Sequence, residues 1–408
     1  MIPYPDLYAP RAMRRYVLTV LLAGCAFLAA GLAHADDTAT QQQTPGGFTL
    51  QAVGTEKGSY DSNPLLLTHG AKALYGSITQ PELIFGDKTP TSLLTADTWL
   101  DANVFNLSDF DSVDFHSKAG YREQMQRWGL GLKEQTDYDT TRTSELTNFG
   151  LNGAAVGKSV RHLGFAVTPE LSYNATPVDT FTTQASLGRS TYDNAVLADY
   201  DTYAVTSAVA HAFDPVDTGS LSLQAQRYQT TSGPANTVDT AGPSVGWETK
   251  FTPRFTGRAS VGFQEARQFG SGVTQEPWTT QLDYNAGLTF KGEQDTTGVL
   301  VSRNDFPFGN GTEALMTGFT LTETHELNKL IALQGGASYQ FADYQSSFTG
   351  ALETLAGGNG GLIYHATDRL DVDANYQYRR ETLTGGAGHA DDHTVTLGLV
   401  YRPKAWTM

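Results

Sequence analysis

The chain has 408 residues, with 27 Lys and Arg against 43 Asp and Glu, which gives a formal net charge of −16. This acidic balance excludes a general nucleic-acid binder, because such proteins need a basic surface for the phosphate backbone. Glycine is abundant, aromatic residues make up 11% of the chain and there is one cysteine. This composition favours an all-β protein without a disulfide framework.

The first 35 residues have the pattern of a secretory signal peptide. A basic stretch, 11–15, precedes an apolar run, 16–33, which ends in the small residues of Ala33-His34-Ala35. This order predicts export and cleavage after Ala35. An alternative is that Leu22-Ala23-Gly24-Cys25 acts as a lipobox, which would leave Cys25 acylated. Apolar sequence continues after Cys25, so ordinary cleavage is favoured.

The remainder of the chain alternates between apolar and polar residues. Residues 36–47 (DDTATQQQTPGG) are predicted to form a polar linker, and the alternation begins at Phe48. Period-two alternation predicts β-strands, because successive side chains point to opposite faces. The clearest segments are 93–105, 163–174, 282–291, 331–341, 370–379 and 394–402. After Ala35 no apolar stretch is long enough for a transmembrane helix, so the choice lies between an exported soluble protein and a β-barrel.

The connections between these segments fall into two alternating classes. One class is short and often contains proline, as in Thr89-Pro90, Thr176-Pro177, Asp214-Pro215 and Thr252-Pro253. The other is longer and rich in Gly, Ser, Asn and Asp, as in TTSGPANT, QFGSGVTQEP, PFGNGT and TGGAGHADDH. Short turns on one side and long loops on the other are typical of outer-membrane barrels.

We therefore predict an all-β transmembrane antiparallel up-and-down barrel that occupies residues 48–408. The segments number about 18, with 16 as the alternative count. Only helices and closed barrels can pair every backbone group within lipid, and an even number of strands returns both termini to the same side. The predicted location is the outer membrane of a Gram-negative cell, with the surrounding lipid as the first partner.

The segment 370–379 (LDVDANYQYR) shows which face is which. A barrel reverses the usual burial, since apolar side chains meet lipid and polar ones line the lumen. Leu370, Val372, Ala374, Tyr376 and Tyr378 are therefore expected to point outward. By the same alternation, the candidate lumen-lining residues are Asp97, Trp99, Asp101, Glu170, Asp283, Asp371, Asp373, Asn375, Gln377 and Arg379, with Lys118, Arg122, Lys133 and Lys291 as further inward bases.

Several short stretches resemble a family of Gram-negative barrels named beta-barrel porin 2. GSYDSNPLLL (58–67) is similar to the family's Tyr-Asp-x-Asn signature, here Tyr60, Asp61, Asn63 and the following Pro64. Further similar stretches are NLSDFDSVDF (106–115), RWGLGL (127–132) and YDTTRTSELTNFG (138–150). The resemblance implies an outer-membrane barrel that is frequently encoded beside exopolysaccharide machinery, and it implies no catalytic residues.

Two motifs for covalent or metal chemistry are weak. Gly242-Pro243-Ser244-Val245-Gly246 matches the G-x-S-x-G nucleophile elbow, but an elbow needs a helix after the turn and the next residues continue an alternating strand. His389 and His393 flank Asp391 and Asp392 in a glycine-rich loop, and this group is expected to be solvated rather than to bind a metal. We therefore predict no enzymatic activity, no cofactor and no metal.

Three functions remain after these exclusions. The first is a conduit that exports exopolysaccharide, or serves its secretion machinery, through a polar lumen, with polysaccharide and periplasmic export proteins as partners. The second is a general diffusion porin for small solutes. The third, an outer-membrane enzyme acting on lipid or glycan, lacks a convincing constellation. Inward carboxylates and bases suit a selectivity field, and Trp99 suits stacking on a sugar ring, although a water-filled lumen must be polar in any case.

Overall fold

The computed structural model describes residues 47–142, 159–194, 197–233, 235–270, 277–307, 313–344, 353–383 and 388–407. The predicted signal peptide and residues 36–46 of the predicted linker lie outside these ranges. In chain order the strands are β1 (Gly47–Asp61), β2 (Leu74–Lys88), β3 (Ser92–Phe105), β4 (Ser112–Gln124), β5 (Trp128–Thr140), β6 (Arg161–Asn174), β7 (Asp179–Tyr192), β8 (Tyr200–Ala212), β9 (Asp217–Thr230), β10 (Asn236–Thr252), β11 (Phe255–Gly270), β12 (Thr279–Lys291), β13 (Asp295–Pro307), β14 (Glu313–Asn328), β15 (Ile331–Tyr344), β16 (Glu353–Thr367), β17 (Leu370–Leu383), β18 (Gly388–Tyr401) and the two-residue β19 (Trp406–Thr407).

The strands form one closed antiparallel barrel. Each of β1 to β17 pairs with the next along the chain, and β1 also pairs with β18, from Gly54 opposite Tyr401 to Asp61 opposite Thr394. The short β19 pairs with the start of β1. The prediction of an 18-stranded up-and-down barrel is confirmed, and β1 begins at Gly47, one residue before the expected start.

Most of the short turns share one local design. In five of the eight, a Thr, Asp or Asn side chain accepts hydrogen bonds from the backbone N–H groups two and three residues later, which closes the turn without help from the rest of the fold. Thr176 Oγ1, for example, accepts from Val178 and Asp179 at 3.2 and 3.0 Å. The same arrangement is built on Thr89, Asp214, Asn328 and Thr367.

Short turns and long loops lie at opposite ends of the barrel. The turns predicted from proline, near residues 90, 177, 215 and 253, all join strands at one end, which we call the short-turn end. The predicted longer connections lie at the other, long-loop end, together with a 3₁₀ turn at Ser108–Phe110. Among the described residues no helix is long and apolar enough to cross a membrane.

The register fixes which side chains share a face. One face carries the exposed large apolar side chains, including Leu223, Phe263 and Leu397, each about 60% exposed (62, 61 and 62%). On the other face Gln224 of β9 reaches Asp283 of β12, with 3.3 Å between the amide nitrogen and Oδ2. Three strand spacings separate these strands, about 14 Å along a sheet, so this polar face is the concave, inward one. The apolar face is the outward one.

Candidate functional site

The predicted lumen residues of β3 all lie on the inward face. Asp97 is in register with Lys118 of β4, Trp99 with His116 and Asp101 with Asp114. The Trp99 ring stacks on the His116 ring, with 4.9 Å between centroids, and Lys118 Nζ lies 5.5 Å from the Trp99 centroid. His116 and Lys118 therefore both contact the Trp99 ring, and a sugar ring would have to displace one of them to stack there.

Glu170 and Asp283 also lie inward, on β6 and β12. Glu170 is in register with Gly131 and Gln184. Asp283 Oδ2 accepts hydrogen bonds from the side chains of Gln264, at 3.0 Å, and Gln224. The two carboxylates and the amide side chains beside them make this part of the inner wall polar.

The β17 residues alternate as predicted. Asp371, Asp373, Asn375, Gln377 and Arg379 share the inward face, while Tyr376 on the other face is 46% exposed. Their surroundings differ along the strand. Asp371 contacts His365 and Arg402, Asp373 lies against Gly398, and Asn375 and Gln377 are in register with Thr396 and Thr394. Arg379 is buried, so only the part of this strand nearer the short-turn end borders open lumen.

Inward side chains near the long-loop end are buried and form what we call the constriction ring. Each lies within five residues of the long-loop end of its strand, and together they circle much of the barrel: Asp61, Asp114, Asp139, His162, Tyr192, Tyr228, Glu381 and Asp392. Five of these eight are carboxylates. Buried inward side chains mean that the lumen is filled at this level, so the path for a solute is narrowest here.

Charge partners hold the ring together. Arg379 donates two hydrogen bonds to Asp392 Oδ2, at 3.1 and 2.8 Å, and its Nη2 lies 4.0 Å from Asp61. Arg161 contacts Asp114 at 2.6 Å. Ion pairs this well buried are costly to break, because removal of one partner leaves the other charge desolvated.

Arg142, directly after β5, lies beside the same carboxylates. Its guanidinium is 5.0 Å from the centroid of the Phe105 ring. Burial lowers the pKa of the Arg142 guanidinium, while the nearby charges of Asp61 and Asp114 raise it. The connection between β5 and β6 therefore starts by turning towards the constriction ring.

The loop between β1 and β2 folds into the barrel, and the Tyr-Asp-x-Asn stretch forms its bend. Asn63 holds Leu67 at 2.9 Å through both its side-chain oxygen and its side-chain nitrogen. The backbone N–H groups of Asn63 and the hydroxyl of Ser62 are bound by Asp392 Oδ1 at 3.1 Å. Asp61 points inward and is buried, Pro64 is buried, and Tyr60 points outward. The motif thus anchors a loop in this chain.

Apolar side chains complete the inward fold of this loop. Leu65 and Leu66 are buried against Leu355 of β16 and Ala390 of β18, on the far side of the β1–β18 seam. Leu66 has a φ of 47°, in the left-handed region that a leucine rarely adopts,. Such a conformation persists only where packing holds it, which indicates that the loop is fixed in the lumen.

A row of inward rings lines the wall beside this loop. His162, Tyr192, Tyr200 and Tyr228, on β6 to β9, lie with consecutive ring centroids 5.1, 6.3 and 5.0 Å apart. The loop after β7 covers them, since Leu197 packs with Tyr192 in one buried cluster. The constriction is therefore acidic on the β17–β1 side and aromatic on the β6–β9 side.

The short-turn half of the lumen is open by comparison. Inward residues of that half are exposed, including Glu248, Arg258, Lys291 and Gln334. The interior is thus a wide polar vestibule that narrows towards the long loops. The vestibule has charges of both signs.

The motifs for other chemistry do not assemble. Ser244 lies in the middle of β10, paired with β9 and β11, and its hydroxyl is 2.6 Å from that of Ser222. A continuous strand cannot form a nucleophile elbow. Asp391 and Asp392 point to opposite faces, towards Arg380 and Arg379. Within the described ranges no three His, Cys, Asp or Glu side chains are arranged to hold a metal.

Sequence reasoning did not find the constriction ring. Period-two alternation assigns Asp139, His162 and Tyr228 to a face, but it does not show that their ends of the strands are covered. One signal was present in Leu65-Leu66-Leu67, since three leucines in a connection between strands are out of place in a solvated loop. Apolar residues in such a loop indicate that it packs on something.

Several solved bacterial proteins have a fold similar to that of this chain. OpdK of Pseudomonas aeruginosa, solved with vanillate, is 9% identical over 88% of this chain and 99% of that chain, with a TM-score of 0.46. OccAB4 of Acinetobacter baumannii is 11% identical over 90% and 100%, with a TM-score of 0.47. The outer membrane channel DcaP of Acinetobacter baumannii is 14% identical over 91% and 100%, with a TM-score of 0.42.

No protein family model and no curated protein matches the chain. The likenesses to solved structures concern the fold alone. Membership of the beta-barrel porin 2 family therefore stays a prediction, as does the association with exopolysaccharide machinery that the resemblance implied.

Proposed function

We propose that the protein is an outer-membrane diffusion channel for small polar solutes, which pass a wide vestibule and then a narrow acidic constriction. The observation that carries the proposal is the closed ring of strands with an apolar outward face and a polar inward face. Such a surface is stable only where lipid surrounds it. The cleavable signal expected at the N-terminus agrees with a location in the outer membrane.

The constriction favours small solutes over a polymer. Leu65 and Leu66 occupy the lumen near the long loops, and Asp61, Arg379 and Asp392 hold their loop in place. A permanently open polysaccharide conduit would need this loop to leave the lumen. Export of exopolysaccharide therefore remains the alternative, and genes for glycosyltransferases beside this one would favour it.

The carboxylates of the ring also predict a preference for cations. The carboxylates of the ring outnumber the basic side chains that contact them. A narrow passage strengthens the electrostatic potential of such charges.

The test is conductance in a planar bilayer free of other proteins. We expect the wild-type channel to show small, cation-selective steps. The double variant Leu65→Ser, Leu66→Ser removes the apolar anchor of the inward loop and should give larger steps. His69→Ser is the matched control, because His69 lies exposed in the same loop. Equal conductance of the wild-type protein and the double variant would contradict the placement of the constriction.

A further inference from the structure

Outward-facing arginines recur at one level near the long-loop end. Arg189, Arg227, Arg267 and Arg380 each stand three residues before the long-loop end of their strands, β7, β9, β11 and β17. We call these four residues the arginine belt. Four ascending strands that carry the same residue at the same height point to a shared role at that level of the surrounding membrane.

Three of the four belt arginines are exposed, and Arg267 is half-buried. Arg189, Arg227 and Arg380 are 59, 51 and 48% exposed, and each has an aspartate partner on the neighbouring strand. Arg380 binds Asp391 through two hydrogen bonds, at 2.7 and 3.0 Å. An arginine held by one carboxylate keeps further N–H donors for a second anion, since guanidinium has five.

Two arginines of the belt meet at β9–β11 around one aspartate, and the exposed carboxylate of Glu265 lies two residues from Arg267 on the same face. Arg227 binds Asp239 at 2.7 and 2.9 Å, and Arg267 lies 3.6 Å from the same carboxylate. Two guanidinium groups thus share one aspartate. The Arg267 guanidinium also lies 4.6 Å from the centroid of the Trp278 ring, which places a flat aromatic surface beside this guanidinium.

The short-turn end is built differently. Its outward surface carries aromatic pairs, such as Phe213 with Trp247 at 5.1 Å and Trp128 with Tyr173 at 4.4 Å. These rings suit an ordinary lipid interface, where aromatic girdles are typical of barrels. The two ends of the outward face therefore match two leaflets of different chemistry, one with ordinary headgroups and one with a high density of anionic groups.

We propose that the arginine belt binds the phosphate groups of a phosphorylated glycolipid in the leaflet at the long-loop end. The proposal rests on the outer-membrane location proposed above. Guanidinium binds phosphate through paired hydrogen bonds, and the shared aspartate leaves Arg227 and Arg267 with N–H donors for it. Trp278 provides a face for a sugar ring of the same headgroup. The main contact is expected at β9–β11.

The test measures lipid binding to the folded, detergent-solubilised full-length protein by native mass spectrometry. The probes are diphosphoryl lipid A, monophosphoryl lipid A and phosphatidylglycerol. We expect diphosphoryl lipid A to bind best and the double variant Arg227→Gln, Arg267→Gln to bind it about tenfold more weakly, as fits the loss of two exposed charge pairs. Added salt should weaken binding to the wild-type protein, because exposed charges are screened.

Two further variants separate binding from folding. Asp239→Asn removes the shared carboxylate and should bind diphosphoryl lipid A more tightly than the wild-type protein, an outcome that a purely structural ion pair would not give. Arg254→Gln is the matched control, because Arg254 is an exposed arginine paired with Glu293 at the short-turn end, and its lipid binding should be unchanged.

The proposal is overturned if phosphatidylglycerol binds as well as diphosphoryl lipid A, or if the arginine double variant binds like the wild-type protein. Loss of an oligomer in that variant, with lipid binding intact, would assign the belt to a second copy of this chain and overturn it too. Conductance of the same variants in a bilayer without lipid A tests the channel function separately, and we expect it to be unaffected.

Discussion

Leu397 and Thr396 provide a direct test of the inward and outward faces. Leu397 is 62% exposed and lies on the outward face of β18, in the middle of an apolar run that starts at Tyr401 and ends at His393. This run covers about 26 Å along the strand, which at a tilt of about 40° rises about 20 Å, most of the height of the apolar band of a barrel, about 25 Å. Thr396 is its neighbour on the inward face, in register with Asn375 and Ser59.

Arginine at these two positions should lower the free energy of unfolding by very different amounts. Near the middle of the apolar band, a lipid-facing arginine costs about 2–4 kcal/mol. Leu397→Arg should therefore lower the free energy of unfolding by that amount, a large part of the about 5–15 kcal/mol typical of a folded protein. Thr396→Arg places the same charge among polar side chains and water, so a change within about 0.5 kcal/mol is expected.

The measurement is urea unfolding of protein folded into liposomes, followed by tryptophan fluorescence. The folded fraction is checked by the difference in gel mobility between boiled and unboiled samples. Equal destabilisation by the two variants, or greater destabilisation by Thr396→Arg, would show that the facing of β18 is wrong. The strand and the introduced residue are the same, and the higher β-propensity of Thr would favour greater destabilisation by Thr396→Arg, so propensity cannot produce the expected difference.

Three other substitutions test the interior. Asp373→Arg should shift ion selectivity towards anions, measured as the reversal potential in a salt gradient, and an unchanged potential would remove Asp373 from the permeation path. Asp392→Asn should lower the free energy of unfolding by about 3–5 kcal/mol and enlarge the conductance steps, whereas the outward-facing control Asp391→Asn should leave conductance as it is. Gly242→Ala should lower the free energy of unfolding by about 1–3 kcal/mol in the same urea assay, since the added Cβ would lie 1.9 Å from the Phe263 carbonyl oxygen. An unchanged free energy of unfolding would mean that β10 and β11 move apart freely.

The sequence was informative wherever one local rule decides the outcome. Alternation along 370–379 determines the faces, because a strand has only two. Proline near residues 90 and 177 identifies the short turns and therefore the short-turn end. This inference is local, because a short turn closes by its own hydrogen bonds. The fold follows from these rules and from the need to pair every backbone group in lipid.

The constriction depends on contacts that no local rule contains. Leu66 packs on Leu355, and Asp61 meets Arg379 and Asp392, although more than 280 residues separate the members of each pair along the chain. Such contacts form only when closure of the barrel brings β1 close to β16, β17 and β18. Alternation therefore predicts that Asp61 points inward, but not that a loop covers it.

Closure of the barrel also sets the order in which the chain can mature. The seam joins Asp61 to Thr394, and Leu50 is in register with Trp406, two residues from the C-terminus. Until the last strand arrives, β1 exposes an unpaired edge that can recruit any other strand. A product truncated before β18 would keep two such edges and an apolar outer surface, which makes it prone to aggregation in the compartment it crosses. The closed wall thus depends on β18, which is made long after β1.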